Sequence, residues 1–163
     1  MARHDVYEAL RTAGLTLPVS ALSQGGLYTP VQPFGQDLLY CSGAGPRRVD
    51  DSPVLGKLGR ELSVEQGQAA ARCCALKLLA NLQVALGDLN RIRRFVKLLV
   101  FVNCTDDFTQ QPAVADGASG LLCALFGEEA GLPARSAVGV CSLPGGAACE
   151  LEALVELFPQ SSE

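Results

Sequence analysis

The chain has no tryptophan, one methionine and a single histidine, His4. One imidazole next to the amino terminus leaves no histidine set for a zinc ion, and it gives little support to ribonuclease-type acid–base chemistry, which commonly relies on histidine. No Cys-x-x-Cys pair occurs among Cys41, Cys73, Cys74, Cys104, Cys123, Cys141 and Cys149. An odd set of thiols lying mostly in apolar runs reads as reduced, small hydrophobes, so neither a metal site nor a disulfide framework is expected. Positive charge is scarce as well. Thirteen Lys and Arg stand against 17 Asp and Glu, for a net charge of −4, and the one basic cluster, Arg91, Arg93 and Arg94, reads as a solvated turn between helix and strand. A nucleic acid partner is therefore not expected. The chain also lacks a run of eighteen uncharged apolar residues, so no membrane partner is expected. Its opening residues are polar and contain acid, without the apolar run of a signal peptide, which predicts a cytoplasmic protein.

Apolar residues are plentiful, at 48% of 163, enough for one core and one domain. Residues 1–25 read as an N-terminal extension, with a short helix from Val6 to Ala13 stopped by Gly14. The glycines and prolines from Pro18 to Pro33 predict irregular chain. Asp37 to Gly43 reads as a buried strand, and a minor strand is expected near Val54 to Leu58. Ser63-Val64-Glu65-Gln66 has the form of a capping box, and apolar residues then recur at three- and four-residue spacing up to Gly87, a C-cap position. Arg94 to Asn103, almost continuously apolar and rich in Val and Phe, predicts a central strand. A polar loop and a second helix, Val114 to Phe126, follow. Arg135 to Leu143 and Ala148 to Leu157 read as strands, and the short Pro144-Gly145-Gly146-Ala147 link predicts an antiparallel hairpin between them.

Two long helices cover one face of such a sheet, and no further element remains for the other. The apolar sheet residues thus predict a closed symmetric oligomer. Along the last strand Cys149, Leu151, Ala153, Val155 and Leu157 alternate with Glu150, Glu152, Leu154 and Glu156, which places three carboxylates on one face. Taken alone, these acids and Arg135 have the pattern of a polar rim.

Pro133-Ala134-Arg135-Ser136-Ala137-Val138-Gly139-Val140, then Leu143-Pro144, then Glu150-Leu151-Glu152-Ala153, resembles in spacing and residue type the C-terminal signature of the Rid, or YjgF-like, family of reactive intermediate deaminases. Tyr28, Ser42-Gly43, Leu86-Gly87-Asp88-Leu89 and Asp107-Phe108 extend the likeness over about 130 residues. The extended N-terminus, Val64-Glu65-Gln66-Gly67-Gln68 and Gly117-Ala118-Ser119 resemble a longer-chain subgroup. The resemblance implies an α+β, chorismate-mutase-like fold for residues 26–163: one small mixed sheet with two long helices packed on one face, and sheet faces meeting in a homotrimer with clefts between subunits. It implies that Arg135 grips a substrate carboxylate as a bidentate fork and that Glu150 handles the attacking water. Tyr28, Ser42, Gly43 and Ala137 would line the site. The implied reaction is hydrolysis of 2-aminoacrylate-type enamines and imines to 2-oxo acids and ammonia, with no cofactor and no metal. Ala137 and Ala44 depart from the family's usual Cys and Gln. The loop from Cys104 to Ser119 is longer than usual, so Asn103, Asp116 and Ser119 all compete for the place of a substrate-contacting Asn. These departures favour the alternative, a non-catalytic trimeric module that binds a small carboxylate or carbonyl metabolite.

Overall fold

The computed structural model describes residues 5–19 and 27–159. His4 and residues 20–25 of the expected extension lie outside them. Helix α1 spans Val6–Thr12, with the Asp5 carboxylate capping its first turn. Val6 and Leu10 reach the core. The Tyr7 hydroxyl donates to Gln83 Oε1 at 2.5 Å and accepts from the Leu89 amide at 2.8 Å. The helix is thereby fastened beside the C-terminal end of the long helix α2, Val64–Leu86.

The sheet is built from β1 (Val31–Phe34), β2 (Leu38–Ala44), β3 (Ile92–Asn103), β4 (Ala134–Val140) and β5 (Cys149–Leu157), in the order β1-β2-β5-β3-β4. All neighbours are antiparallel except β3 and β4, which are parallel. Strand β1 lies in a stretch whose breakers predicted no regular structure. Its Pro33, which cannot donate to a ladder, is tolerated because β1 is an edge strand. The expected minor strand at Val54 to Leu58 is reduced to isolated bridges from Leu55 to Ala147 and from Leu58 to Leu62 and Cys104.

The expected hairpin does not form. Strand β3 lies between β4 and β5, so Arg135 is opposite Leu98 of β3 and does not pair with β5. The Asn103 amide donates to Ala148 O at 3.0 Å and the Cys104 amide to Val140 O at 3.3 Å. The chain between β4 and β5 therefore crosses the end of β3. Gly145 and Gly146 in that crossing both have positive φ, 65° and 75°, where a Cβ is disfavoured. Strand β3 and strand β4 are joined by helix α3, Gln111–Phe126, which begins three residues before the predicted start, inside the expected loop. A short helix α4, Glu128–Gly131, follows it.

Helix α2 has the expected caps: Ser63 Oγ and the Gln66 side chain close a capping box, and Gly87 is left-handed at φ 76°. By length and composition α2 is apolar enough to cross a membrane, yet Ala71, Cys74, Leu78 and Leu82 are wholly buried in the core. Helices α2 and α3 cover the face formed by Leu98, Val100 and Val102 of β3 and Leu151, Ala153 and Val155 of β5. On the opposite face Leu38, Leu99, Phe101 and Leu154 stay half-buried, while Tyr40 and Val138 are exposed. That face is open in the single chain, as the element count predicts.

Candidate functional site

Glu150 is the second residue of β5 and lies opposite Phe101 of β3 on the open face. Next to it, the β2–β5 ladder shifts register between Cys41 and Ala44, and this bulge brings Gly43 against the carboxyl. A Cβ at residue 43 would stand 2.1 Å from Glu150 Oε1, so the glycine makes room for the acid. Together with Tyr28, both residues line a cavity of about 340 Å³. Burial pushes the Glu150 carboxyl above the ordinary glutamate range, and the charge of Glu152 on the same face pushes it further. A half-buried carboxyl of raised pKa that lines a cavity is suited to taking up and releasing a proton there.

Ser42 does not line this cavity. Its Oγ donates to Thr29 O at 2.6 Å, and its amide donates to Pro30 O at 2.9 Å. It pins the segment that carries Tyr28 to the sheet and so acts on the pocket indirectly. The cavity also takes in Arg47 and Lys77, which sequence reasoning did not single out. They come from a loop and from α2, and only tertiary packing brings them to Glu150's neighbourhood.

Arg135 lies elsewhere. It is on β4, an edge strand, and shares the helix-facing side with its partner Leu98. Its Nη1 donates to Asp116 Oδ1 at 2.8 Å and to Ser119 Oγ at 3.0 Å, and its Nη2 donates to Pro112 O at 3.2 Å. All three acceptors belong to α3. Ala137, two residues on, is opposite Val100 and packs against the core. Within one chain, then, Arg135 and Glu150 sit on opposite sides of β3 and on opposite faces of the sheet. Two inter-strand spacings, about 10 Å, plus the sheet itself separate them, so a single small molecule cannot bridge them there. Of the six sequence-selected residues, the fold gathers Tyr28, Gly43 and Glu150 and leaves Arg135 and Ala137 apart.

Of the three residues considered for the substrate-contacting Asn, Asp116 and Ser119 both hold Arg135. Asn103 instead donates through Nδ2 to Ala147 O at 3.1 Å and ties the β4–β5 crossing to β3. No group of three His, Cys, Asp or Glu able to hold a metal ion occurs among the described residues. The cysteines are all free thiols. Burial pushes Cys41 up to about 12 and Cys74 well above the usual thiol range, which suppresses the reactive thiolate at both.

Residues 8–158 match the family described as "YjgF/chorismate_mutase-like, putative endoribonuclease". Protein TCP17 of Trypanosoma cruzi is 48% identical over 157 residues, covering 96% of this chain and 97% of its own length. The crystal structure of Atu1372 from Agrobacterium tumefaciens, a protein of unknown function, is 40% identical with a TM-score of 0.84, covering 94% of each chain. RidA from the Antarctic bacterium Psychrobacter sp. PAMC 21119 shares the fold, with a TM-score of 0.57 over 86% of this chain and 94% of its own, at 24% identity. With a five-stranded mixed sheet backed by two long helices and a match that takes in nearly all of the sequence, this chain belongs to the YjgF/chorismate mutase-like family.

Proposed function

We propose that the protein hydrolyses small, short-lived 2-imino and enamine acids of the 2-aminoacrylate type to 2-oxo acids and ammonia, in clefts between the subunits of a homotrimer. The observation that carries this reading is Glu150, whose half-buried, pKa-raised carboxyl stands in a cavity with Gly43 and Tyr28. Arg135 supplies the carboxylate anchor from a neighbouring subunit. Two features support this: β4, which carries Arg135, is an edge strand, and the open sheet face, with Leu99, Phe101 and Leu154 half-buried, offers an apolar surface for self-association.

In the proposed reaction Glu150 takes a proton from water as its oxygen attacks the imine carbon. The same carboxyl returns that proton to the nitrogen of the tetrahedral adduct; the C–N bond then breaks, ammonia leaves, and the carboxylate takes the hydroxyl proton as the C=O bond forms, releasing it to solvent. The guanidinium of Arg135 holds the substrate's carboxylate.

A second reading, a non-catalytic module that binds small carboxylates or carbonyl metabolites, is favoured by the Asp116 contact, which already occupies part of Arg135. An endoribonuclease is less well supported. The chain is acidic, and Arg93 and Arg94 of its one basic cluster both pair with Glu156 rather than standing free for a phosphate backbone.

The test generates 2-iminopropionate from alanine with an amino-acid oxidase and traps it with semicarbazide. Wild-type protein is expected to slow adduct formation. Glu150→Gln and Arg135→Ala are each expected to lose at least about a hundredfold of that effect, the usual scale for an acid–base group. Equal adduct formation with and without wild-type protein would contradict the enzyme reading.

A further inference from the structure

The contacts of Arg135 are unequal. Ser119, one of its acceptors, is 9% exposed, and a second is the Pro112 carbonyl; both are neutral. The third, Asp116, carries a full charge and its side chain is 64% exposed, against 20% for Arg135. The guanidinium is thus held to α3 by two neutral oxygens and one carboxylate, with Asp116 sharing Nη1 with Ser119 and being the most exposed of the side chains in the group. A ligand approaching Arg135 from solvent meets Asp116 as well.

We infer that Asp116 is a specificity-determining residue: next to Arg135 it selects acids that carry a cationic N–H beside the carboxylate, and it rejects the corresponding 2-oxo acids. The inference rests on the reading of Arg135 as a carboxylate anchor. Arg135 and Asp116 together are neutral, so a bare carboxylate brings an unbalanced negative charge to the pair. An acid with an iminium or ammonium group at C2 presents both signs within one small molecule. Its carboxylate faces the guanidinium and its N–H faces Asp116. In a 2-oxo acid the donor is replaced by a carbonyl oxygen, and two acceptors then oppose each other. A site that donates to or accepts from one group of a ligand discriminates strongly against the analogue that inverts it. Where the ligand is a 2-iminium acid that is being hydrolysed, the same opposition drives the product out.

The test titrates L-2-aminobutanoate and 2-oxobutanoate, matched in carbon chain, into the full-length wild-type protein and into Asp116→Asn, Ser119→Ala and Arg135→Ala, with binding followed by NMR. Asparagine retains an oxygen that can accept from Arg135 and so keeps the fork in place while removing the charge. Wild type is expected to prefer the amino acid. Asp116→Asn is expected to shift the ratio of the two affinities by about tenfold toward the oxo acid. Ser119→Ala should weaken both ligands and leave the ratio unchanged, and Arg135→Ala should abolish both. An unchanged ratio in Asp116→Asn, or no binding of either ligand by wild type, overturns the inference. Failure of the deaminase reading shows separately, as equal semicarbazide trapping by a protein that still displays the Asp116-dependent preference.

Discussion

Glu150 shows how one side chain's surroundings set opposite demands on activity and stability. Its carboxyl is pushed above the ordinary range by burial first and by Glu152 second. As a base it works only when ionised, so the acid limb of the pH–rate profile should lie above the usual glutamate value. Glu152→Gln removes the second cause and should move that limb to lower pH. An unmoved limb would mean that Glu150 is not the titrating group. For stability the sign is reversed. A carboxyl whose folded pKa is raised stabilises the fold in its protonated form, fully so below the ordinary glutamate pKa, and that contribution is lost as pH rises through the folded value. Glu150→Gln, neutral at every pH, should therefore melt higher than wild type at pH 7 to 8 while losing activity. Thermal melts across pH check this. The sequence made Glu150 readable through the period-two alternation of β5. Gly43 could be placed beside it only through the family signature, because a bulge in a ladder between residues more than a hundred positions apart leaves no local pattern.

At the scale of elements, legibility followed the range of the interactions. The limits of α2 were visible because Ser63, Gln66 and Gly87 act within one helical turn. The pairing of β4 was misjudged from the short Pro144–Ala147 link, although strand, helix and strand over residues 94–140 is the pattern of a parallel unit joined by a crossover helix. A long apolar strand such as β3 needs partners on both edges, and β4 and β5 each supply one. The glycines of α2 and α3 likewise gain a reason only in three dimensions. A Cβ at Gly117 would stand 2.1 Å from the Gln68 carbonyl oxygen, and one at Gly67 would stand 2.7 Å from Leu58 Cδ1. Helix α3 thus crosses the α2 backbone at a point where it cannot carry a side chain. Gly117→Ala pushes on backbone that cannot yield, so it should cost about 2–3 kcal/mol despite the better helix propensity of alanine. Urea unfolding measures this, and a neutral or stabilising result would show that the helices separate freely.

For the whole molecule, the fold leaves Arg135 and Glu150 on opposite faces of one sheet and leaves one apolar face open. In the proposed function these two facts are joined: one subunit's arginine serves another's glutamate. That arrangement was foreseeable from the sequence only through the family signature, since spacing along the chain carries no information about contacts between copies. It also makes the central claim testable without knowledge of the physiological substrate. Arg135→Ala and Glu150→Gln proteins, each inactive alone, are unfolded together, refolded as a mixture and assayed by semicarbazide trapping. In a trimer with shared clefts roughly a quarter of the sites then combine an intact Arg135 with an intact Glu150, so about a quarter of wild-type activity should return. A mixture as inactive as its two components would contradict the shared site.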